Sequence, residues 1–117
     1  MQDFSTLDNF FSQIKDTLWE GGIRGSGFIW SPWLKKTSRV SKQMMSIEDW
    51  LPTLYSMAGG KVSDLPHDLD GFDMSKSLSE NSPSPRNQIL HNIDESRGIA
   101  ALRIGDWKIV KGIVDRG

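Results

Sequence analysis

Cysteine is absent from this chain of 117 residues. The sequence therefore offers no disulfide framework, no thiolate nucleophile and no zinc–thiolate site. Long hydrophobic runs are also missing, because no apolar stretch approaches the roughly 20 residues that a membrane-spanning helix needs. Hydrophobic residues make up 37% of the chain, which is low for a self-sufficient core. These absences exclude a disulfide scaffold and a membrane span.

An excess of charge of either sign is missing as well. The chain has 14 basic and 15 acidic residues, which gives a formal net charge of -1. This balance does not predict a nucleic-acid partner, which requires a basic field. One local basic run is present, and we interpret it as a solvated face, with a contact to an anionic glycan as the alternative. Its members are Lys35, Lys36, Arg39 and Lys42.

The most informative stretch that is present is Lys15–Arg24, which reads KDTLWEGGIR. Paired glycines are rare in helix interiors because each costs about 1 kcal/mol relative to alanine. Gly21 and Gly22 therefore predict a tight turn or a close backbone approach. We expect Trp19 to pack under this corner, and Glu20 to pair with Arg24 or to accept backbone N–H bonds.

Other patterns predict the remaining elements. Ile23 to Trp30 is strand-like, with Gly27 to Trp30 as a buried strand that ends at Ser31-Pro32, since proline lacks a ladder donor. Trp33 and Leu34 are assigned to the core. Met74 to Leu78 predicts a single helical turn. The last strands are expected at Gln88 to Ile93, Ile99 to Arg103 and Trp107 to Val110, the latter two joined as a hairpin across Ile104-Gly105-Asp106.

The clearest helix begins at Ser46. Ser46 and Asp49 have the spacing of a capping box, and Gly59-Gly60 predicts the helix end. An apolar face follows the helical period and is assigned to the core, Trp50 and Tyr55 above all. The face comprises Ile47, Trp50, Leu51, Leu54, Tyr55 and Ala58.

Two histidines invite a chemical interpretation. His91 has a side-chain pKa near neutrality in its free form, but without a visible partner we interpret it as packed or hydrogen-bonded structure. His67 lies among closely spaced acidic residues before Gly71, which indicates a turn rather than a metal site.

The ordered segments of this chain resemble the sulfatase family, most closely its arylsulfatase B-like branch. There a Lys-x-[Ser/Thr]-Leu-Trp-Glu-Gly-Gly-x-Arg-Gly segment precedes a strand, a Ser-Pro and a helix reading Asp-Trp-Leu-Pro-Thr-Leu. Each motif is weak alone, but the ordered set is specific and covers about Lys15 to Lys111. The matching segments are Trp19–Gly22, Arg24-Gly25, Ser31-Pro32, Asp49–Leu54, Leu69–Asp73, Ser82–Arg86, Leu90–Asp94 and Gly105–Lys108.

The resemblance implies an α/β fold, as a fragment of the alkaline-phosphatase-like sulfatase fold. Residues 15–80 would form the end of the large α/β domain. Residues 81–117 would begin a small, truncated C-terminal antiparallel β subdomain, and residues 1–14 form an atypical N-terminal segment. Exposed strand edges would then favour self-association of the isolated chain.

Lys15 is the substrate-binding residue that the resemblance implies. It falls on the family's active-site lysine, which contacts the substrate sulfate. An ammonium suits this role, because it is a compact charge with three donors. The alternative is an ordinary surface lysine.

The family's nucleophile and metal are not supplied by this sequence. The family uses a formylglycine made from a cysteine, and a calcium ion held by hard oxygen ligands. Asp8 and Asn9 resemble the calcium-binding Asp-Asn, but Leu7 is inserted and Phe10 replaces the following glycine. We interpret Asp8 as a helix cap or as part of a frayed terminus. We expect calcium in the full-length parent and no cofactor on this chain.

The sequence therefore predicts a fragment of an arylsulfatase-type sulfuric ester hydrolase. We expect the parent to act on sulfate esters of sugars, and this chain alone to be inactive. Two alternatives are a non-catalytic module that binds sulfated glycans or a protein partner, and a purely structural or non-functional product. A parent of this family implies lysosomal or secreted localisation. Residues Met1 to Ile14 nevertheless lack the basic start and apolar core of a signal peptide.

Overall fold

The computed structural model describes residues 17–112. Contacts divide the chain into two compact units. In the described part, the first unit contains residues 17–28 and 88–112, and the second contains Ile29–Asn87. Short helices and one antiparallel sheet make up the described elements, which confirms the predicted α/β class. The predicted domain boundary at residue 80 stays a prediction.

The first unit is built on a three-stranded antiparallel sheet in the order β1-β2-β3. The strands are β1 (Gln88–Asp94), β2 (Ile99–Ile104) and β3 (Trp107–Lys111). All three predicted strands are confirmed, and each extends one residue further than expected. Gly105 has φ +54 in the hairpin between β2 and β3, a conformation that suits glycine. One helical turn, α1 (Glu20–Ile23), precedes the sheet in the chain.

The two faces of this sheet differ in exposure. Ala101 on one face is 1% exposed, and Lys108 lies on the same face. The other face carries Leu90 opposite Leu102, which is itself opposite Ile109. We call this second face the open sheet face, because most of its large apolar side chains are exposed. Those side chains are Leu90, Ile93, Ile104, Trp107 and Ile109.

The second unit is organised around α2 (Trp50–Met57), which follows a 3-10 turn at Ile47–Asp49. The predicted capping box is confirmed, with the Ser46 N–H donating to Asp49 Oδ2 at 2.7 Å. The predicted helix end is also confirmed, because Gly59 has φ +92 and the Gly60 N–H donates to the Tyr55 carbonyl at 3.0 Å. A second 3-10 turn spans Val62–Asp64, and α3 spans Ser75–Glu80, which confirms the helical turn expected there.

The core assignment is wrong for most of the apolar face of α2, although Trp50 is half-buried. Ile47 is 85% exposed, Leu51 is 55% exposed, and Tyr55 is exposed as well. The helix instead buries Pro52 and Thr53. Thr53 Oγ1 accepts a hydrogen bond from the Met74 N–H at 2.8 Å, so α2 packs on the 72–74 segment through a polar contact.

The buried strand predicted at Gly27 to Trp30 is wrong as well. These residues have no regular secondary structure, and Phe28 is 96% exposed and Trp30 85% exposed. A strand requires a neighbour to satisfy its backbone groups, and the described sheet contains only β1, β2 and β3. Trp33 is 52% exposed, which overturns its core assignment too. Ser31-Pro32 does form a turn, closed by the Leu34 N–H and the Ser31 carbonyl at 3.2 Å.

Within residues 17–112, no helix is long and apolar enough to cross a membrane.

Candidate functional site

The segment that follows Lys15 in the chain forms a compact corner, residues 17–24, which we call the glycine corner. Thr17 and Leu18 are buried within it. A Cβ added to Gly22 would collide with the Thr17 carbonyl oxygen, which confirms the predicted close backbone approach at this glycine. The Trp19 carbonyl accepts hydrogen bonds from the Gly22 N–H at 2.9 Å and the Ile23 N–H at 3.2 Å. The corner is therefore a tight helical turn, and position 22 must be a glycine because any side chain there would collide with the Thr17 carbonyl.

Glu20 connects this corner to the sheet. Its Oε1 binds Lys108 Nζ at 2.9 Å, and its Oε2 lies 3.4 Å from Arg103 Nη1. The predicted pair with Arg24 is confirmed, but at 3.7 Å it is the longest of the three contacts. We call Glu20, Arg24, Arg103 and Lys108 the Glu20 cluster. Its two long-range contacts span 83 and 88 positions of sequence.

Burial makes the contact between Glu20 and Lys108 more than a surface ion pair. The two side chains are 17% and 14% exposed, whereas Arg24 is 69% exposed. Burial by itself would raise the pKa of the Glu20 carboxyl, but Lys108, Arg103 and Arg24 outweigh it and hold that pKa below its usual value. Glu20 is therefore ionised and bound at neutral pH.

The cluster carries more positive than negative charge. Three cations, Arg24, Arg103 and Lys108, face the single carboxylate of Glu20, which leaves two positive charges in excess. This arrangement can anchor a backbone segment and favours anions nearby. It contains no nucleophile, so it performs no bond cleavage by itself.

His91 in β1 belongs to the surroundings of this cluster. Its Nε2 is buried and has no hydrogen-bond partner among the described residues, so the expectation of a packed histidine fits better than that of a hydrogen-bonded one. Burial, followed by the nearby charge of Lys108, lowers the pKa of His91, with Arg103 acting in the same direction and Glu20 against it. The imidazole is therefore neutral at neutral pH.

Sequence reasoning missed the part of the cluster that comes from the sheet. Lys108 lies in a strand that alternates Trp-Lys-Ile-Val-Lys, on the same face as Val110. A lysine that shares a covered face with a valine signals a buried charge that needs a partner. The partner itself could not be read from the sequence, because Glu20 is so distant along the chain.

The basic run of the second unit is engaged in structural contacts. Lys35 Nζ binds Glu80 Oε1 at 2.6 Å. Arg39 Nη2 donates to the carbonyls of Ser77 at 3.0 Å and Leu78 at 2.7 Å. These carbonyls lie at the end of α3, so Arg39 caps that helix. Lys36 and Lys42 are exposed, as a solvated face predicts.

Lys15, whose family role the resemblance implies, lies outside the residues that the structure describes, as do Asp8 and Asn9, for which a cap was preferred to calcium binding. Their roles stay predictions. Between residues 17 and 112, no group of three or more histidine or acidic side chains converges so that it could hold a metal ion. The described residues therefore do not fit a calcium site.

Comparison with known proteins gives three informative relatives. The chain is 41% identical over 116 residues to arylsulfatase J of Mus musculus, an alignment that covers 84% of this chain and 19% of the relative. It is 35% identical over 97 residues to arylsulfatase A of Homo sapiens, covering 80% of this chain and 18% of the relative. It is 29% identical over 101 residues to arylsulfatase G of Canis lupus familiaris, covering 83% of this chain and 19% of the relative.

These relatives are all much longer than the matched segment. The chain spans about a fifth of the length of the curated relatives it matches. No family model matches the chain. The α/β fold described above agrees with a piece of the alkaline-phosphatase-like sulfatase fold.

Proposed function

Because the chain has arylsulfatase homologues over most of its length, we propose that it is part of a longer arylsulfatase-type sulfuric ester hydrolase. The observation that carries the proposal is the identity of 41% to arylsulfatase J over 84% of the chain. The order of the Trp19–Gly22, Asp49–Leu54 and Gly105–Lys108 segments supports assignment to the arylsulfatase B-like branch.

Lys15 is the substrate-contacting residue in this proposal. It lies two positions before Thr17, the buried residue at which the glycine corner begins. A lysine ammonium neutralises sulfate oxygens and offsets the charge that develops on them in the transition state. A fixed corner directly after the lysine is suited to this role, since misplaced charges stabilise a transition state poorly.

The rest of the machinery belongs to the parent. A formylglycine made from a cysteine would attack the sulfate ester, and this sequence contains no cysteine. A calcium ion held by hard oxygen ligands would orient the sulfate there. Because members of a catalytic set contribute little alone, we expect the 117-residue chain to be inactive.

The finer assignments are also part of the proposal. We expect the parent to act on sulfated sugars in the lysosome or after secretion. The resemblance to the arylsulfatase B-like branch supports both expectations. A panel of sulfated monosaccharides, with released sulfate as the readout, tests the substrate class.

The alternative of a non-catalytic glycan-binding module has less support. It relied on Lys15 and on the basic run of the second unit. In that run Lys35 pairs with Glu80, and Arg39 caps α3. These two residues therefore make structural contacts within the second unit, and Lys36 and Lys42 are the members of the run that remain solvated.

The test is sulfatase activity of the native protein. An antibody raised against residues 61–85 captures the protein from its source, and hydrolysis of 4-methylumbelliferyl sulfate is measured on the captured material. We expect hydrolysis that disappears when the antibody is first blocked with its peptide. The recombinant 117-residue chain serves as the matched inactive control. Captured protein without activity, at a concentration that detects a purified arylsulfatase, would overturn the proposal.

A further inference from the structure

A surface groove lies beside α3 in the second unit. Its volume is about 370 Å³, which falls within the roughly 300–1,000 Å³ that is usual for small-ligand sites. The groove is lined by one aromatic ring, two lysines, one carboxylate and two serines, which are Trp33, Lys35, Lys76, Glu80, Ser75 and Ser79. None of these residues has a part in the proposed hydrolysis of sulfate esters.

The aromatic wall of the groove is held in place through its backbone. The Trp33 carbonyl accepts a hydrogen bond from the Ser79 hydroxyl at 3.1 Å, and the Trp33 N–H donates to Ser31 Oγ at 3.2 Å. The Lys36 N–H donates to the Ser79 carbonyl at 2.9 Å, so this segment follows the end of α3. Trp33 is nevertheless 52% exposed. An exposed indole on a fixed backbone offers a ligand an apolar surface at a low cost in conformational entropy.

The charges around the groove favour an anion. The hydrogen bond from Lys35 lowers the pKa of the Glu80 carboxyl, and the charges of Lys35, Lys76 and Lys36 act in the same direction. Three lysines thus face one carboxylate, which leaves two positive charges in excess. Lys35 pairs with Glu80 at 2.6 Å, whereas Lys76 makes no ion pair among residues 17–112. The ammonium of Lys76 is therefore available to a negatively charged ligand.

The polar groups of the groove also favour a ligand that carries hydroxyls. The Ser75 hydroxyl and the Glu80 carboxylate can accept hydrogen bonds from ligand hydroxyls, and Lys76 can donate to a carboxylate or a sulfate. The face of an aromatic ring packs against the C–H groups of a sugar ring through apolar contact. A flat aryl anion could use Trp33 and Lys76, but it would offer Glu80 no hydroxyl donor. An acidic sugar uses all of these groups.

We propose that this groove binds an acidic sugar residue of a glycan chain, with the sugar ring on the Trp33 indole and its carboxylate or sulfate beside Lys76. Trp33 and Lys35 remain more than half exposed, so the groove leaves room for the neighbouring sugars of the chain. The inference goes beyond the proposed function, because it concerns binding and requires no sulfatase activity. It adds a binding site to the proposed enzyme and does not replace the proposed activity.

Saturation-transfer difference NMR on the full-length protein tests the inference, with methyl β-D-glucuronide as the probe. This sugar carries a carboxylate and no sulfate ester, so sulfatase activity does not consume it. We expect a dissociation constant of about 1–10 mM, because one stacked ring and one exposed ion pair contribute little each. Methyl β-D-glucoside, which lacks the carboxylate, should bind several-fold more weakly. Acetate, which lacks the ring, should not compete.

Two groove variants and two matched controls locate the binding. Trp33→Ala should weaken glucuronide binding by about 10-fold or more, and Lys76→Gln should weaken it by about 2- to 5-fold. Trp30→Ala and Lys61→Gln make comparable changes at exposed residues that do not line the groove, and they should leave the affinity unchanged. Should Trp33→Ala lose its thermal transition, Lys76→Glu takes its place and should abolish binding by reversing the charge.

The outcomes separate this inference from the proposed function. Glucuronide binding that Trp33→Ala and Lys76→Gln weaken supports the groove, even in a protein that shows no sulfatase activity. Absence of glucuronide binding, or binding that neither Trp33→Ala nor Lys76→Glu alters, overturns the inference and leaves the proposed activity untouched. Benzoate that binds as tightly as the glucuronide overturns the assignment to a sugar. A hyaluronan tetrasaccharide should bind at least as tightly as the single sugar, and its failure to bind overturns the assignment to a glycan chain.

Discussion

Asp49 is fully buried and accepts hydrogen bonds from three separate parts of the second unit. Its partners are the Ser46 N–H at 2.7 Å, the Phe72 N–H at 2.7 Å and Arg86, whose Nη2 lies 2.7 Å from Oδ1. Arg86 Nη2 also pairs with Glu48 Oε1 at 2.9 Å and donates a hydrogen bond to the Asp70 carbonyl at 2.7 Å. One buried acid thus joins the start of α2 to two later segments of the chain.

Replacing Asp49 is expected to be one of the most damaging single changes in the second unit. Asp49→Asn leaves the buried Arg86 without its main counter-charge, which costs about 3–5 kcal/mol of the free energy of unfolding. Urea unfolding followed by tryptophan fluorescence measures the loss. Glu80→Gln is the matched control, because its partner Lys35 is 71% exposed, and it should leave the urea midpoint unchanged. Equal small shifts for both variants would contradict this role for Asp49.

The first unit is expected to lose stability in acid, for a reason that also lies in single residues. Burial lowers the pKa of His91 below its ordinary value of 6.5, so the unfolded chain takes up a proton first as the pH falls. The His91 contribution is therefore complete above pH 6.5 and declines below it. Glu20, whose pKa is also lowered, contributes above pH 4.5, and its contribution disappears as the pH falls through its folded-state pKa.

Urea midpoints measured at stepwise pH values between neutrality and about pH 4 test this account. The wild-type urea midpoint should begin to fall near pH 6.5, the ordinary pKa of a histidine side chain. His91→Leu removes the titrating group and should delay the fall until the Glu20 range. An identical pH profile for His91→Leu and the wild type would rule out His91 as the cause.

At the scale of elements, the sequence predicted best where a local rule decides the structure. The capping box at Ser46 and Asp49 and the helix end at Gly59 depend on residues within a few positions of each other. The alternation of β1, β2 and β3 and the tight turn at Gly105 are likewise local. These predictions needed no knowledge of distant contacts.

The predictions that were wrong depend on contacts between residues that are distant in the sequence. Gly27 to Trp30 has the composition of a strand, but the described sheet gives it no neighbour. The apolar stripe of α2 has the helical period, yet Leu51 and Leu54 are more than half exposed. Which surface covers an element is decided by tertiary contacts, and periodicity does not report them. The Glu20 cluster was missed for the same reason, because its partners come from β2 and β3.

Alanine substitutions at two glycines test the close approach within the glycine corner. Gly22→Ala forces a Cβ onto the Thr17 carbonyl, so the backbone must shift. We expect a loss of about 1–3 kcal/mol, as is usual for overpacking. Gly25→Ala is the matched control, because its Cβ would meet nothing within 4 Å. It should be neutral or stabilising by up to about 1 kcal/mol.

Urea unfolding of the two variants provides the measurement. We expect a lowered urea midpoint for Gly22→Ala and no lowering for Gly25→Ala. Equal midpoints for the two variants would mean that the corner relaxes without cost around position 22.

At the scale of the whole molecule, the open sheet face is the main apolar surface of the first unit. Trp107 is 82% exposed, Ile109 is 68% exposed and Ile93 is 60% exposed. Contiguous exposed apolar patches of more than a few hundred Å² are rare on soluble monomers. Strands β1 and β3 also leave unpaired edges within the described sheet. Both features favour association of the isolated chain.

Sedimentation velocity of the isolated chain tests this expectation. The wild-type chain should sediment as a mixture whose average mass rises with concentration, and Trp107→Thr with Ile109→Thr should shift it toward the monomer. Phe28→Ser is the matched control, since Phe28 is 96% exposed but lies outside the sheet. A monomeric wild-type chain, or an equal shift from Phe28→Ser, would contradict the role of the sheet face.

The mass of the native protein decides whether this chain is part of a longer sulfatase, as proposed above. Denaturing gel electrophoresis and peptide mapping of material captured with an antibody to residues 61–85 supply the measurement. We expect a species several-fold larger than 13.2 kDa. Its peptide map should include upstream peptides with a formylglycine derived from cysteine. A native species of 13.2 kDa alone, without such peptides, would contradict it.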